Sequence, residues 1–195
     1  MEILKLVNQS YPISNTYRPT NLVQDPITKI WLVREAFEQF YKMNNALQKE
    51  GLSSLYMISG YRSYAYQQSL CAKKEELGFT NIAKEGYSEH QLGIALDLVT
   101  SSVINNNRDS ILSFANFNSK SLQAFDVTFH KQWLDMKSAD FGFILRYPFD
   151  KFYITGVSYK PYHYRYVGVN HAKKIVKNDL CLEEYIKLYS NMRYF

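Results

Sequence analysis

The chain has 195 residues, 46% of them apolar and 21% charged, which is long enough to bury a core and too apolar for a disordered segment. A net charge of +5 favours anionic partners in a general way, but no dense Lys/Arg cluster interleaved with aromatics marks a nucleic-acid surface, and no nucleic-acid partner is expected. No apolar run approaches the roughly 18 residues of a membrane span, and Met1–Lys5 opens without a signal-type apolar core, so at face value the expected setting is cytoplasmic. Cys71 and Cys181 match no zinc or redox spacing; they are read as buried free thiols, with a disulfide left open.

One domain over 1–195 is expected, with residues 1–25 as an irregular surface wrap around Pro12 and Pro19. From Pro26 to about Glu50 the periodicity is helical, with Val33, Phe37, Phe40 and Leu47 on one stripe and Gly51 as the stop. Leu55 to Ser59 is a short strand ending at Gly60, and Tyr64 to Leu77 is a second helix closed by Gly78. Thr100 to Ser119 is polar and Asn-rich and reads as a loop. A third helix is expected over Ser121 to Ala139, carrying Phe125, Phe129, Trp133 and Met136. Gly142 to Tyr147 is a strand, Pro148 to Gly156 a turn region, and His163 to Val167 another strand. Helices near Val169 to Lys177 and Leu182 to Tyr189 close the chain. Strands come one at a time between helices, which predicts an α+β fold with a small, largely antiparallel sheet.

The chemistry concentrates in Ser88-Glu89-His90-Gln91-Leu92-Gly93-Ile94-Ala95-Leu96-Asp97. Ile94 to Val99 reads as a buried strand with Asp97 in its middle and no basic residue nearby. A carboxylate there is expensive unless it is paired or bound to a metal. One His and one Asp are too few for zinc, which takes three protein ligands at catalytic sites. His163, on the aromatic strand edge Tyr159–Tyr166, suits the third place. His130 and His171 are read as surface residues, and Glu89 as an exposed neighbour of the ligand without a role of its own.

These residues carry a resemblance. Ser-x-His-x-x-Gly-x-Ala-x-Asp at 88–97 resembles the zinc motif of the VanY-type D,D-peptidases. Ser59-Gly60-Tyr61-Arg62-Ser63, Phe141 to Pro148, and Ile154-Thr155-Gly156 leading to His163–Gly168 are similar to that family in order and spacing, over roughly residues 55 to 190. The layout is most similar to the bifunctional D,D-dipeptidase/D,D-carboxypeptidases of vancomycin-type resistance. The resemblance implies a zinc fold of the Hedgehog/D,D-peptidase type and one Zn²⁺ held by His90, Asp97 and His163. It also implies hydrolysis of D-Ala-D-Ala ends of dipeptides or peptidoglycan stems. Arg62 would grip a terminal carboxylate or developing oxyanion, Ser88 and Gln67 would line the substrate site, and Tyr162 would form an aromatic wall.

One position departs from the family pattern. Where the family has Glu-Pro-Trp-His, this chain has Lys160-Pro161-Tyr162-His163, so the general-base glutamate is replaced by an ammonium. Zn²⁺ with Asp97 sums to +1; a glutamate would bring the site to 0, whereas Lys160 brings it to +2. At an effective dielectric of 20, two unit charges ~4 Å apart cost about 4 kcal/mol. The alternatives that this leaves are a zinc-binding protein that holds D-Ala-type peptides without cutting them, and an L,D-carboxypeptidase.

Overall fold

The structure is a computed structural model and describes residues 3–74, 82–101 and 122–192. The first elements are two short strands, β1 (Leu22–Gln24) and β2 (Trp31–Val33), paired antiparallel with Leu22 opposite Val33. This ribbon replaces the last residues of the expected irregular segment and the first helical turns expected from sequence; the described residues before Leu22 form no helix or strand. Asp25 makes it: its carboxylate accepts from Thr28 N at 2.8 Å, its carbonyl from Lys29 N at 2.9 Å, and Lys29 takes the left-handed conformation that tightens the turn. Helix α1 (Arg34–Lys49) therefore starts eight residues later than Pro26 and buries Ala36, Phe40, Met43 and Leu47 along one face.

The main sheet has four strands, β3 (Leu55–Ser59), β4 (Ala95–Thr100), β5 (Phe143–Leu145) and β6 (His163–Tyr166), in the order β3-β4-β6-β5, antiparallel throughout. The α+β expectation holds. Leu96 and Leu98 of β4 join the α1 stripe in one apolar core, while all six residues of β4 are buried. Between β3 and β4 comes helix α2 (Tyr64–Ala72), capped by Ser63, whose hydroxyl accepts from Tyr66 N at 3.1 Å. The predicted loop at 100–119 lies almost entirely outside the described residues, as does the end of the second predicted helix.

The third predicted helix is broken. A 3₁₀ turn at Ala124–Val127 ends at Thr128, which is extended and caps α3 (Phe129–Lys137) through a bond from Lys131 N. The break rotates the expected stripe: Phe125 and Trp133 are buried, but Phe129 and Met136 are 75% and 70% exposed. A short helical turn α4 (Phe152–Thr155) and helices α5 (Val169–Lys177) and α6 (Leu182–Met192) complete the chain. α5 and α6 cover a second apolar cluster of Ile144, Val167, Ala172, Ile175, Leu182 and Tyr185. No helix among the described residues is long and apolar enough to cross a membrane.

Two glycines fix how the ribbon meets the sheet. A Cβ on Gly60 would lie 2.5 Å from both Ile30 Cγ2 and the Trp31 carbonyl oxygen. Gly93 is left-handed at φ 71°, and its carbonyl accepts from Val33 N at 2.8 Å. Gly60→Ala is expected to cost about 1–3 kcal/mol through overpacking, read as a lower midpoint in chemical denaturation; an unchanged midpoint would mean that the ribbon is not seated against β3.

Candidate metal centre

Register does the first part of the assembly. In β4 and β6, Asp97 pairs with His163, so their side chains stand side by side on one face of the sheet. Asp97 Oδ1 lies 2.7 Å from His163 Nδ1. The 3₁₀ turn Glu89–Leu92 ends at left-handed Gly93, and this turn delivers His90 beside them, its Nε2 3.3 Å from Asp97 Oδ2. Ligand-type atoms of His90, Asp97 and His163 all lie within 4.8 Å of one another, and all three residues are buried.

Each imidazole is oriented by the nitrogen that faces away. His90 Nδ1 donates to the Gly60 carbonyl at 2.7 Å, which leaves Nε2 bare toward Asp97. His163 Nε2 lies 2.9 Å from Glu89 Oε1 and, against an ionised carboxylate, must donate. Histidines that bind metals are commonly anchored in this way, through a carbonyl or carboxylate on the far nitrogen. Two imidazole nitrogens and a carboxylate converge, a usual donor set for catalytic zinc, so the residues present fit a metal ion.

The electrostatics agree. Burial, reinforced by Arg62, holds the His90 pKa down to about 4, so the ring is neutral and ready to ligate. Burial alone would lower His163 too, but Asp97 and Glu89 on either side outweigh it and raise its pKa. Burial pushes Asp97 up, yet its two histidines hold it well below the ordinary carboxylate range. A cation held here would compete with a proton for His163 Nδ1, so binding would be coupled to proton release.

Glu89 overturns its sequence reading. It is 2% exposed rather than an exposed neighbour, and accepts from Arg146 Nε at 2.9 Å and Arg165 Nη1 at 3.2 Å as well as from His163. Both guanidiniums are fully buried. Sequence reasoning passed over them although Arg146 follows Phe143-Ile144-Leu145 directly. A charge adjoining an apolar strand is a weaker form of the signal that singles out Asp97, which lies inside one. Tyr147 was also missed: its ring stacks on His163 with centroids 5.0 Å apart.

One cleft is lined by Arg62, Tyr87, Ser88, Glu89, His90, Asp97, Tyr147, Lys160, Tyr162 and His163, with Ile82 and Ala83 at its wall. Arg62 is held from below by Ser88, 3.4 Å from Nη2, and its backbone N donates to the His90 carbonyl at 3.1 Å. Gln67 stands apart from the lining residues: buried in α2, its amide donates to the Ala83 carbonyl at 2.6 Å, bracing the wall. Lys160 enters the cleft beside Tyr147, its Nζ 5.6 Å from the ring centroid. Burial, with Arg62 adding to it, lowers the Lys160 pKa against the pull of Asp97 and Glu89. His130 bonds to the Ser53 carbonyl and His171 to the Tyr185 hydroxyl, both outside the cleft. Both cysteines are free thiols, Cys181 buried and Cys71 only partly so.

A pH optimum for metal-free stability follows. With His163 raised, its contribution is complete below the unfolded value of about 6.5 and is lost as pH rises through the folded pKa. The lowered His90 does the opposite: stability falls as pH drops from about 6.5 toward 4, because only the unfolded chain takes up the proton. Asp97 and Glu89, both lowered, add a further loss as pH falls below the ordinary carboxylate range. Melts of chelator-treated protein should peak near about pH 6.5, and His163→Gln should abolish that part of the alkaline limb that begins at about pH 6.5, leaving the later loss from the raised Cys181 thiol. A variant that keeps that part would remove His163 as its cause.

Residues 29–169 match the family model VanY, D-alanyl-D-alanine carboxypeptidase. The bifunctional D-Ala-D-Ala dipeptidase and D-Ala-D-Ala carboxypeptidase VanXYC of Enterococcus gallinarum is 33% identical over 192 residues, covering 95% of this chain and 94% of that protein. Among solved structures, the LdcB LD-carboxypeptidase superposes with a TM-score of 0.75 at 34% identity, over 95% of this chain and 86% of that one. The vancomycin resistance D,D-pentapeptidase VanY from the VanB-type cassette, solved with Zn(II), superposes at 0.71 with 34% identity, over 95% and 99%. The antiparallel sheet and the match over 29–169 thus place it in a known group: the chain belongs to the VanY family of D-alanyl-D-alanine carboxypeptidases.

Proposed function

We propose that this chain is a zinc-dependent D,D-peptidase that removes D-alanine from D-Ala-D-Ala ends of dipeptides or peptidoglycan stems. The observation that carries the reading is the convergence of His90, Asp97 and His163 in the same cleft as Arg62 and Ser88. One bound zinc supplies Lewis acidity at the scissile carbonyl and a water of lowered pKa.

The protein's own groups do the rest. Arg62, braced by Ser88, presents a guanidinium to the terminal carboxylate of the substrate, a planar match that a lysine does not make. Tyr162 and Tyr147 wall the cleft with aromatic surface and exclude water from it. Lys160 holds the position from which the family's glutamate takes and returns a proton. As an ammonium it is a donor only, so it takes up a proton in the reaction only in its amine form, which burial and Arg62 favour. Hydrolysis is therefore slow and rises with pH.

The family match and the dipeptidase relative favour a D,D bond over an L,D bond, and cleavage over binding alone. Two measurements test the reading. Zinc-loaded protein should release D-alanine from D-Ala-D-Ala and from a stem pentapeptide, and Lys160→Glu should raise the rate by about 10²–10⁴, the usual worth of a placed general base. No release by either protein would reject the substrate class. His163→Ala should lose most of the bound zinc, and unchanged stoichiometry would remove His163 from the ligand set.

A further inference from the structure

Each arginine that holds Glu89 is itself held at its far end by another segment of the chain. Arg146 gives its remaining nitrogens to Glu183 of α6, at 2.8 and 2.6 Å. Arg165 donates from Nη2 to the carbonyls of Ile3 and Lys5, both at 3.0 Å. Glu183 in turn accepts from Asn8 Nδ2 at 3.1 Å. The segment Ile3–Asn8 therefore touches both arms of one buried network, and both arms end on Glu89.

The charges in this network balance: Glu89 and Glu183 against Arg146 and Arg165. An ionised carboxylate between two guanidiniums can only accept, and its third partner is His163 Nε2. A ring flipped about its long axis would turn a carbon toward Glu89 and leave a buried carboxylate oxygen without its donor, which the interior penalises. One ring orientation is thereby selected, with Nδ1 facing Asp97.

We propose that Glu89 is a positioning residue that keeps His163 protonated on Nε2 with Nδ1 turned to the metal site, and that Ile3–Asn8 is a clasp that holds Glu89 in place through Arg165 and through Glu183 and Arg146. The metal side of this inference rests on reading His163 as a zinc ligand; the ring orientation does not. The sequence-distant ends of the chain thus set the geometry of a ligand that neither end touches.

The test uses the full chain with two variants and two readouts. Zinc affinity is measured by competition with a chelator, and the His163 ring is followed by its imidazole ¹⁵N signals in metal-free protein. Glu89→Gln should weaken zinc binding by about 10–100-fold, the usual effect of removing the carboxylate behind a metal-binding histidine, and should lose the exchange-protected Nε2–H. Asn8→Ala leaves every buried charge in place, so it keeps the test valid should Glu89→Gln fail to fold. It should weaken zinc binding several-fold and speed exchange of the same proton. Zinc affinity within twofold of the parent, together with an unchanged Nε2–H signal in Asn8→Ala, would overturn the clasp. The same pair of results in a folded Glu89→Gln would overturn the positioning role. A parent protein that shows the protected Nε2–H but binds no zinc would reject the metal reading and support the ring orientation alone.

Discussion

The register between β4 and β6 is the constraint on which the site depends. It sets Asp97 opposite His163, and a slip of either strand by one residue would turn that strand's side chain to the opposite face and part the two, with Asp97 sent into the apolar layer of Leu96 and Leu98 if β4 were the strand that moved. The same ladder fixes Arg165 opposite Ala95 and, through β5, Ile144 opposite Arg165. Placing one histidine thus places the arginine two residues on, and with it the carboxylate that orients the histidine. The functional geometry is a by-product of strand pairing before any ligand is considered.

Burying this much charge has a cost that the fold meets by pairing. Glu89, Asp97, Arg146 and Arg165 are all nearly inaccessible. A buried ion pair adds little net stability over a well-packed apolar pair, yet removing one member costs about 3–5 kcal/mol because the other is stranded. The network around Glu89 is therefore better understood as a device for geometry than for stability. Its donors and acceptors admit one arrangement, and that arrangement turns His163 Nδ1 to the place where Asp97 and His90 converge.

The cleft is unusual in its cations. Arg62 and Lys160 both line it, together with the two histidines and Asp97. Arg62 suits an anionic peptide terminus, and burial keeps it dry enough for that attraction to count. Lys160 adds a second positive charge; its burial, with Arg62 adding to it, lowers its proton affinity and makes the amine form more accessible than on a surface. The aromatic ring of Tyr147 stacks on His163 and has the Lys160 ammonium within 5.6 Å of its centroid.

Much of this was legible in the sequence, because the relevant signals are local. Asp97 in an apolar run, a glycine between it and His90, and the apolar strand segments at 55–59 and 163–167 each speak through neighbouring residues, and they point to the sheet, to the residues that cluster around Asp97 and to the α+β class. The β1–β2 ribbon escaped because two three-residue strands carry too little periodicity to compete with the helix that follows. The break at Thr128 escaped because a cap in the middle of an apolar stripe looks like one more helical residue. Glu89 was misread for a deeper reason. Its partners Arg146, Arg165 and His163 lie 57 to 76 residues away, and Asn8 and Glu183, which complete the network, are 175 apart. Sequence determines that such charges exist and that an apolar chain must bury some of them; only the folded ladder decides which of them meet, since burial is tolerable only where opposite charges arrive together.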